Sequence, residues 1–229
     1  MVEKRIDLKK EQQATLARPG LKYSFMARLF FISFDLVTGR KTTLFKVKLL
    51  EILAAVPYRA WEIRQYQKLS RCYGNDKLMS RAQQLMVWAR EAQDNEYQHL
   101  LLLHEKIITE KLRQPWFLSP PVVRLMVFSY RLFAWALAKI SLRRSICFNA
   151  EFEDHAERSY AEFVRAHPEW EEQAVTGPLA RAYGEFANWA DLLRRVSLDE
   201  RDHRNRSFHF CGRDRDVVRY DGMPESFEI

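Results

Sequence analysis

Two pairs of residues in this 229-residue sequence have the types and spacing of metal ligands: Glu96 with His99, and Glu200 with His203. Residues three apart on a helix share a face, so each pair can direct a carboxylate oxygen and an imidazole nitrogen at one point. That donor set suits iron(II), and bridging carboxylates are how two such ions are held close. A di-iron site in a helical bundle needs Glu-x-x-His from two helices and one glutamate from each of two others. Among 30 acidic residues and 6 histidines, a single such pair arises by chance and ordinarily marks a solvated face. Two pairs on separate long helices, both in apolar surroundings, are a stronger signal.

Glu51 supplies a third element. It stands between Leu49-Leu50 and Ile52-Leu53, where a buried, uncompensated carboxylate would cost several kcal/mol (about 3–5 for a broken buried pair) or be forced to protonate. Ligation of a metal removes that cost; the alternative is a narrow polar stripe shared with Lys46 and Lys48. For a fourth element Glu151, Glu153 and Glu157 compete, and spacing does not choose among them.

These residues must be carried by helices. Seven glycines and few turn clusters argue against a many-stranded fold. Residues 49–56 are helical in composition, with a kink or restart expected at Pro57. Asn75 and its neighbours form a turn, and residues 77–111 carry apolar positions at the spacing of a long helix. Helix resumes near Val122, with a break expected about Arg143-Arg144-Ser145, and ends at His167-Pro168. Gly177-Pro178 opens the last long helix, through Trp189 and Glu200 to about Phe208. The expectation is a single all-α domain over residues 1–229, a four-helix bundle, with residues 1–25 an N-terminal arm and 212–229 a tail.

Three scattered cysteines, Cys72, Cys147 and Cys211, with no C-x-x-C, point to isolated thiols in a reducing compartment. The first 20 residues mix acids and bases without an apolar core, unlike a secretory signal. The net charge of +7 suits an acidic partner surface. No nucleic-acid motif accompanies it, so nucleic acid is not expected and anionic lipid is preferred. Residues 116–142 supply the reason: WFLSPPVVRLMVFSYRLFAWALAKISL is apolar but interrupted by Arg124, Arg131 and Lys139. No uncharged run approaches the roughly 20 residues that cross a bilayer core. The three cations fall on one broad helical face, as in a helix lying in the membrane interface; the alternative is a core helix with snorkelling cations.

Four motifs, in order, resemble those of the alternative oxidases and plastid terminal oxidases. Leu50-Glu51-Ile52-Leu53-Ala54-Ala55-Val56-Pro57-Tyr58 is similar to the motif of the first ligand, with the plastid-type ending. Asn95-Glu96-Tyr97-Gln98-His99-Leu100 resembles N-E-x-x-H-L, and Glu153-Asp154-His155-Ala156-Glu157-Arg158-Ser159-Tyr160 resembles the plastid E-S-H-A-x-x-x-Y. Asp199-Glu200-Arg201-Asp202-His203 resembles the closing D-E-x-x-H. The resemblance spans residues 44–206.

It implies a ferritin-like four-helix bundle with added membrane-interfacial helices and a centre of two iron ions held by Glu51, Glu96, His99, Glu153, Glu200 and His203. It thereby selects Glu153 on the fourth helix. It also implies a non-proton-pumping quinol oxidase of the respiratory type, monotopic on the membrane, that reduces O₂ to water. Tyr160 falls where the family places a tyrosine near the irons. Asn95 and Asp199 take positions that hold the ligands in orientation. Lys46, Leu50, His155, Ala156 and Ser159 match positions near the quinol pocket, with Lys46 replacing an arginine and keeping only its charge. Ubiquinol and plastoquinol both remain open, and a homodimer is expected. In a bacterial cell the protein would sit on the cytoplasmic face. Departures are a longer interval from Glu51 to Glu96, a shorter one from Glu153 to Glu200, and Ile52 where many mitochondrial members carry threonine. The competing expectations are a ferritin-like iron-oxidising or iron-binding protein and a soluble di-iron oxygenase.

Overall fold

The structure, a computed structural model, describes residues 6–71 and 73–223. Cys72, the first five residues of the arm and the last six of the tail lie outside the described residues. Helix makes up 77 % of the chain, and the described residues contain no strand, only one isolated bridge between Ala174 and Asn188. The fold is therefore all-α. Its helices are α1 (Leu8–Ala17), α2 (Phe25–Thr38), α3 (Leu44–Leu69), α4 (Asp76–Thr109), α5 (Pro120–Ile140), α6 (Leu142–Ala166), α7 (Pro178–Tyr183) and α8 (Trp189–Phe210), with short 3₁₀ turns at Trp116–Leu118, Pro168–Glu171 and Asp214–Asp216. They divide into two compact units, Leu44–Ile146 and the combination of Met1–Thr43 with Cys147–Ile229.

In the unit Leu44–Ile146, α3 packs on α4 and on α5. Leu50, Leu53, Ala54, Pro57, Tyr58 and Trp61 form the buried face of α3, a helical period of three and four. Tyr58, Trp61 and Trp88 meet with ring centroids 5.1–5.7 Å apart, and Trp61 Nε1 donates to Ser145 Oγ at 2.8 Å. The helix does not restart at Pro57: α3 continues through it as one element. The buried aromatic and aliphatic packing on both sides of the proline outweighs its local cost of about 3 kcal/mol. Asn75 caps α4, its side chain accepting from Leu78 N at 3.2 Å.

In the other unit α1 packs on α8 through buried charge. Arg201 of α8 donates to Glu11 Oε2 at 2.5 Å, Thr15 Oγ1 at 2.6 Å and Glu157 Oε1 at 2.8 Å. Arg204 donates to Asp154 Oδ1 at 2.7 Å. The segment expected to be an arm thus contains a helix fastened by ion pairs, and Phe25 opens α2. The described part of the tail folds back on α8: Asn205 exchanges two hydrogen bonds with Val218, at 2.8 and 2.9 Å, and the Tyr220 hydroxyl donates to Asp202.

Two helix boundaries differ from expectation. The break before α6 falls at Ser141, whose extended backbone (φ −155°, ψ 106°) precedes the expected site. Gly177-Pro178 opens only the short α7. The last long helix begins at Trp189, where Asn188 accepts from Asp191 N at 2.8 Å as its cap.

The reading of three isolated thiols is also overturned: Cys147 of α6 and Cys211, which caps α8, form a disulfide with their Cα atoms 5.6 Å apart. Its 64-residue separation leaves no local sign in the sequence. Closing such a loop constrains the unfolded chain by about 4 kcal/mol in the chain-entropy account. Cys147→Ser is expected to lower the urea midpoint and to raise the m-value, because the released unfolded chain exposes more surface; an unshifted midpoint would remove the disulfide from the stability of the fold.

Glu171, at the end of the Pro168–Glu171 turn, pairs with Lys9 at 3.1 Å and with Arg194. The hydrogen bond from Arg194 leads the causes that hold its carboxyl down, to about 2. The folded value lies below the unfolded one, so this pairing stabilises the fold above the ordinary carboxylate range near pH 4.5. The contribution is lost as pH falls from there towards 2. Glu171→Gln is therefore expected to melt lower than wild type at pH 7 and to show less acid-induced loss over that window. Equal melting curves at both pH values would refute it.

Candidate metal centre

The face of α3 that buries Leu50 and Ala54 also buries Glu51, and α4 buries Glu96 and His99 one turn apart. Within this unit His99 Nδ1 lies 3.4 Å from Glu51 Oε2 and 3.8 Å from Glu96 Oε2. One ligand atom from each of the three falls within 4.8 Å of the others. In the second unit Glu153 of α6 with Glu200 and His203 of α8 forms a matching triad within the same 4.8 Å limit, and His203 Nδ1 is 3.7 Å from Glu200 Oε2. All six residues are buried.

Each triad joins two carboxylates to one imidazole out of water. Two carboxylate charges at the outer limit of that spacing, 4.8 Å, would repel by about 3.5 kcal/mol at an effective dielectric of 20. A divalent cation converts that repulsion into attraction, and oxygen with imidazole nitrogen is a donor set that iron, manganese and zinc accept. These buried Glu and His groups could hold a metal ion.

Glu151 and Glu157, the sequence rivals of Glu153, are occupied elsewhere. Glu151 Oε2 accepts from the Ser24 hydroxyl at 2.6 Å and the Ser24 amide at 3.0 Å. Glu157 accepts from Thr15 Oγ1 and Arg18 Nη2, both at 2.7 Å, and from Arg201. Thr15 lies on α1, Arg18 and Ser24 cap α1 and α2, and Arg201 lies on α8, all far away in sequence.

The remaining expected residues are placed as follows. Tyr160 is buried on α6, two turns after Glu153, with Ala156 and Ser159 buried on the same helix. His155 stacks on Phe31 of α2, centroids 4.1 Å apart. Lys46 and Leu50 are buried on α3, and Asn95 is half-buried on α4 beside Glu96. Asp199 accepts hydrogen bonds from the Tyr183 hydroxyl and from Arg195. Burial first, then the Asp199 charge and hydrogen bond, holds the Tyr183 hydroxyl well above its ordinary pKa. Burial alone would weaken the Arg195 cation, but Asp199 and further anions beside it more than compensate. Tyr183 and Arg195 were not foreseen from the sequence. Arg195 stands one turn before Asp199, a spacing that could have announced the pair.

No family model matches this chain, and no curated protein matches it. The likeness to the alternative oxidases therefore stands on its four motifs.

By length and composition α5 is apolar enough to cross a membrane, and only 22 % of its most apolar window is buried. Leu125, Phe128, Leu132 and Trp135 are exposed along one face of it, and Arg124, Arg131 and Lys139 are exposed as well. On α2, Phe25, Leu29, Ile32 and Leu36 form another exposed apolar stripe, with Phe25 and Leu36 80 % and 82 % exposed. That second stripe was missed in the sequence.

Proposed function

We propose that the two triads together serve a pair of iron ions in a ferritin-like bundle, and that the protein is a membrane-associated quinol oxidase of the alternative-oxidase type. The observation that carries this reading is the repeated donor set, one buried glutamate and one buried Glu-x-x-His in each unit. Four carboxylates match the four charges of two Fe(II), so the loaded, reduced centre is neutral and tolerates burial. The order of the four motifs supports the same reading. Two quinols would deliver four electrons and four protons to one O₂, giving two quinones and two waters. Two bound irons would supply the electron-transfer and oxygen chemistry that side chains lack.

The residues of the chain have separate tasks. The six ligands fix metal position, and Asp199, gripped by Tyr183 and Arg195, holds the Glu200 turn of α8 in orientation. Tyr160, buried on α6 two turns after Glu153, would pass a proton or an electron. Leu50, Ala156 and Ser159 with Lys46 and His155 form the quinol-binding set. The exposed apolar faces of α2 and α5, with the cations of α5, would lie in the headgroup region of a membrane, where a lipid-soluble quinol is available. A ferritin-type protein or a soluble oxygenase has no use for such faces.

The test is oxygen uptake by membranes containing the protein, driven by a short-chain quinol in the presence of cyanide. Uptake that depends on the protein is expected. Its absence from iron-loaded membranes would overturn the oxidase reading. Less than about one iron per chain after anaerobic reconstitution would overturn the metal reading beneath it.

A further inference from the structure

On α6, one turn before Glu153, Asn149 is fully buried, and on α8, one turn after His203, so is Ser207. Asn149 Nδ2 donates to Glu153 Oε1 at 2.8 Å and to Ser207 Oγ at 3.3 Å. The amide carries two hydrogens on that nitrogen, one for each acceptor. A buried amide is expensive unless its polar atoms are engaged, and this one spends its donors on a candidate ligand and on the helix carrying the other two. The planar amide thus fixes the carboxylate torsion of Glu153 against α8.

We infer that Asn149, braced by Ser207, is a positioning residue that presents the Glu153 carboxylate to the metal of the Glu153–Glu200–His203 triad. This rests on the metal-centre reading above. The amide holds Oε1, and a carboxylate oxygen of Glu153 lies within 4.8 Å of ligand atoms of Glu200 and His203. The link also makes the orientation of Glu153 follow the setting of α8, so three ligands move as one group. A neighbour that fixes a ligand from behind typically changes metal affinity by ~10–100-fold.

Co(II) alone is a suitable probe, because its visible bands report ligand geometry without any turnover. Full-length, metal-free protein would be titrated anaerobically as wild type, Asn149→Ala and Ser207→Ala, with melting of each metal-free form measured alongside. Asn149→Ala is expected to weaken Co(II) binding by ~10–100-fold and shift the bands, and Ser207→Ala to do the same by less than about tenfold. Wild-type affinity and spectrum in Asn149→Ala would overturn the inference. If Asn149→Ala does not fold, Ser207→Ala decides, and an unchanged affinity and spectrum there overturns it. A wild type that takes up no Co(II) fails differently, because it brings down the metal centre itself.

Discussion

Glu153→Ala is expected to lower quinol-driven, cyanide-insensitive oxygen uptake by more than about 100-fold, because loss of a ligand should exceed the 10–100-fold typical of residues that merely brace one. Bound iron per chain should fall with it. The informative control is Glu157→Gln, one turn further along the same helix. Glu157 is fully buried among Thr15, Arg18 and Arg201, and disrupting a buried ion pair costs about 3 kcal/mol or more. Its variant should melt earlier yet keep its iron. Two carboxylates on one helix would then separate into one that holds metal and one that holds the fold. Uptake that survives Glu153→Ala would end the oxidase assignment, whatever the iron content.

Reversing charge at Arg124 and Arg131 together is expected to move the protein from the membrane fraction to the soluble one. Both cations are exposed on α5 beside Leu125, Phe128, Leu132 and Trp135. A basic residue near an anionic surface contributes about 1 kcal/mol. Losing two attractions and adding two repulsions therefore removes up to about 4 kcal/mol, a factor of roughly 10³ in partitioning. The loss should be larger on vesicles rich in anionic lipid than on neutral ones. Unchanged partitioning on both would make α5 an ordinary surface helix with no part in membrane association.

The helical class and the extent of α4 were legible because long periodic apolar spacing and the turn at Asn75 are local signals. Each ligand pair is local too, three residues apart on one helix. What was illegible depended on partners remote in sequence. Spacing left Glu151, Glu153 and Glu157 equivalent, and the distinction comes from Thr15, Arg18, Ser24 and Arg201. The Cys147–Cys211 bond likewise joins positions 64 apart. Two misses had local signs. Asn188 with Asp191 three residues on is a cap that marks the start of α8, and Asn149 stands four residues before Glu153, the distance at which a helix lets one side chain touch the next turn. The apolar stripe of α2 was overlooked because so many of its residues are apolar that no single face stands out.

The unit that carries Glu153, Glu200 and His203 is discontinuous in sequence, built from Met1–Thr43 and Cys147–Ile229. Its ion pairs reach from Glu11 to Arg201, 190 residues apart. On a ribosome, α1 must wait as an isolated ten-residue helix, too short to persist alone in water, until α8 has been synthesised. The hairpin of α3 and α4 needs no such wait, since its contacts are local and close early. Any metal uptake by the Glu153 triad would then follow translation, and a stall or truncation before α8 would leave α1 without the partner that holds it.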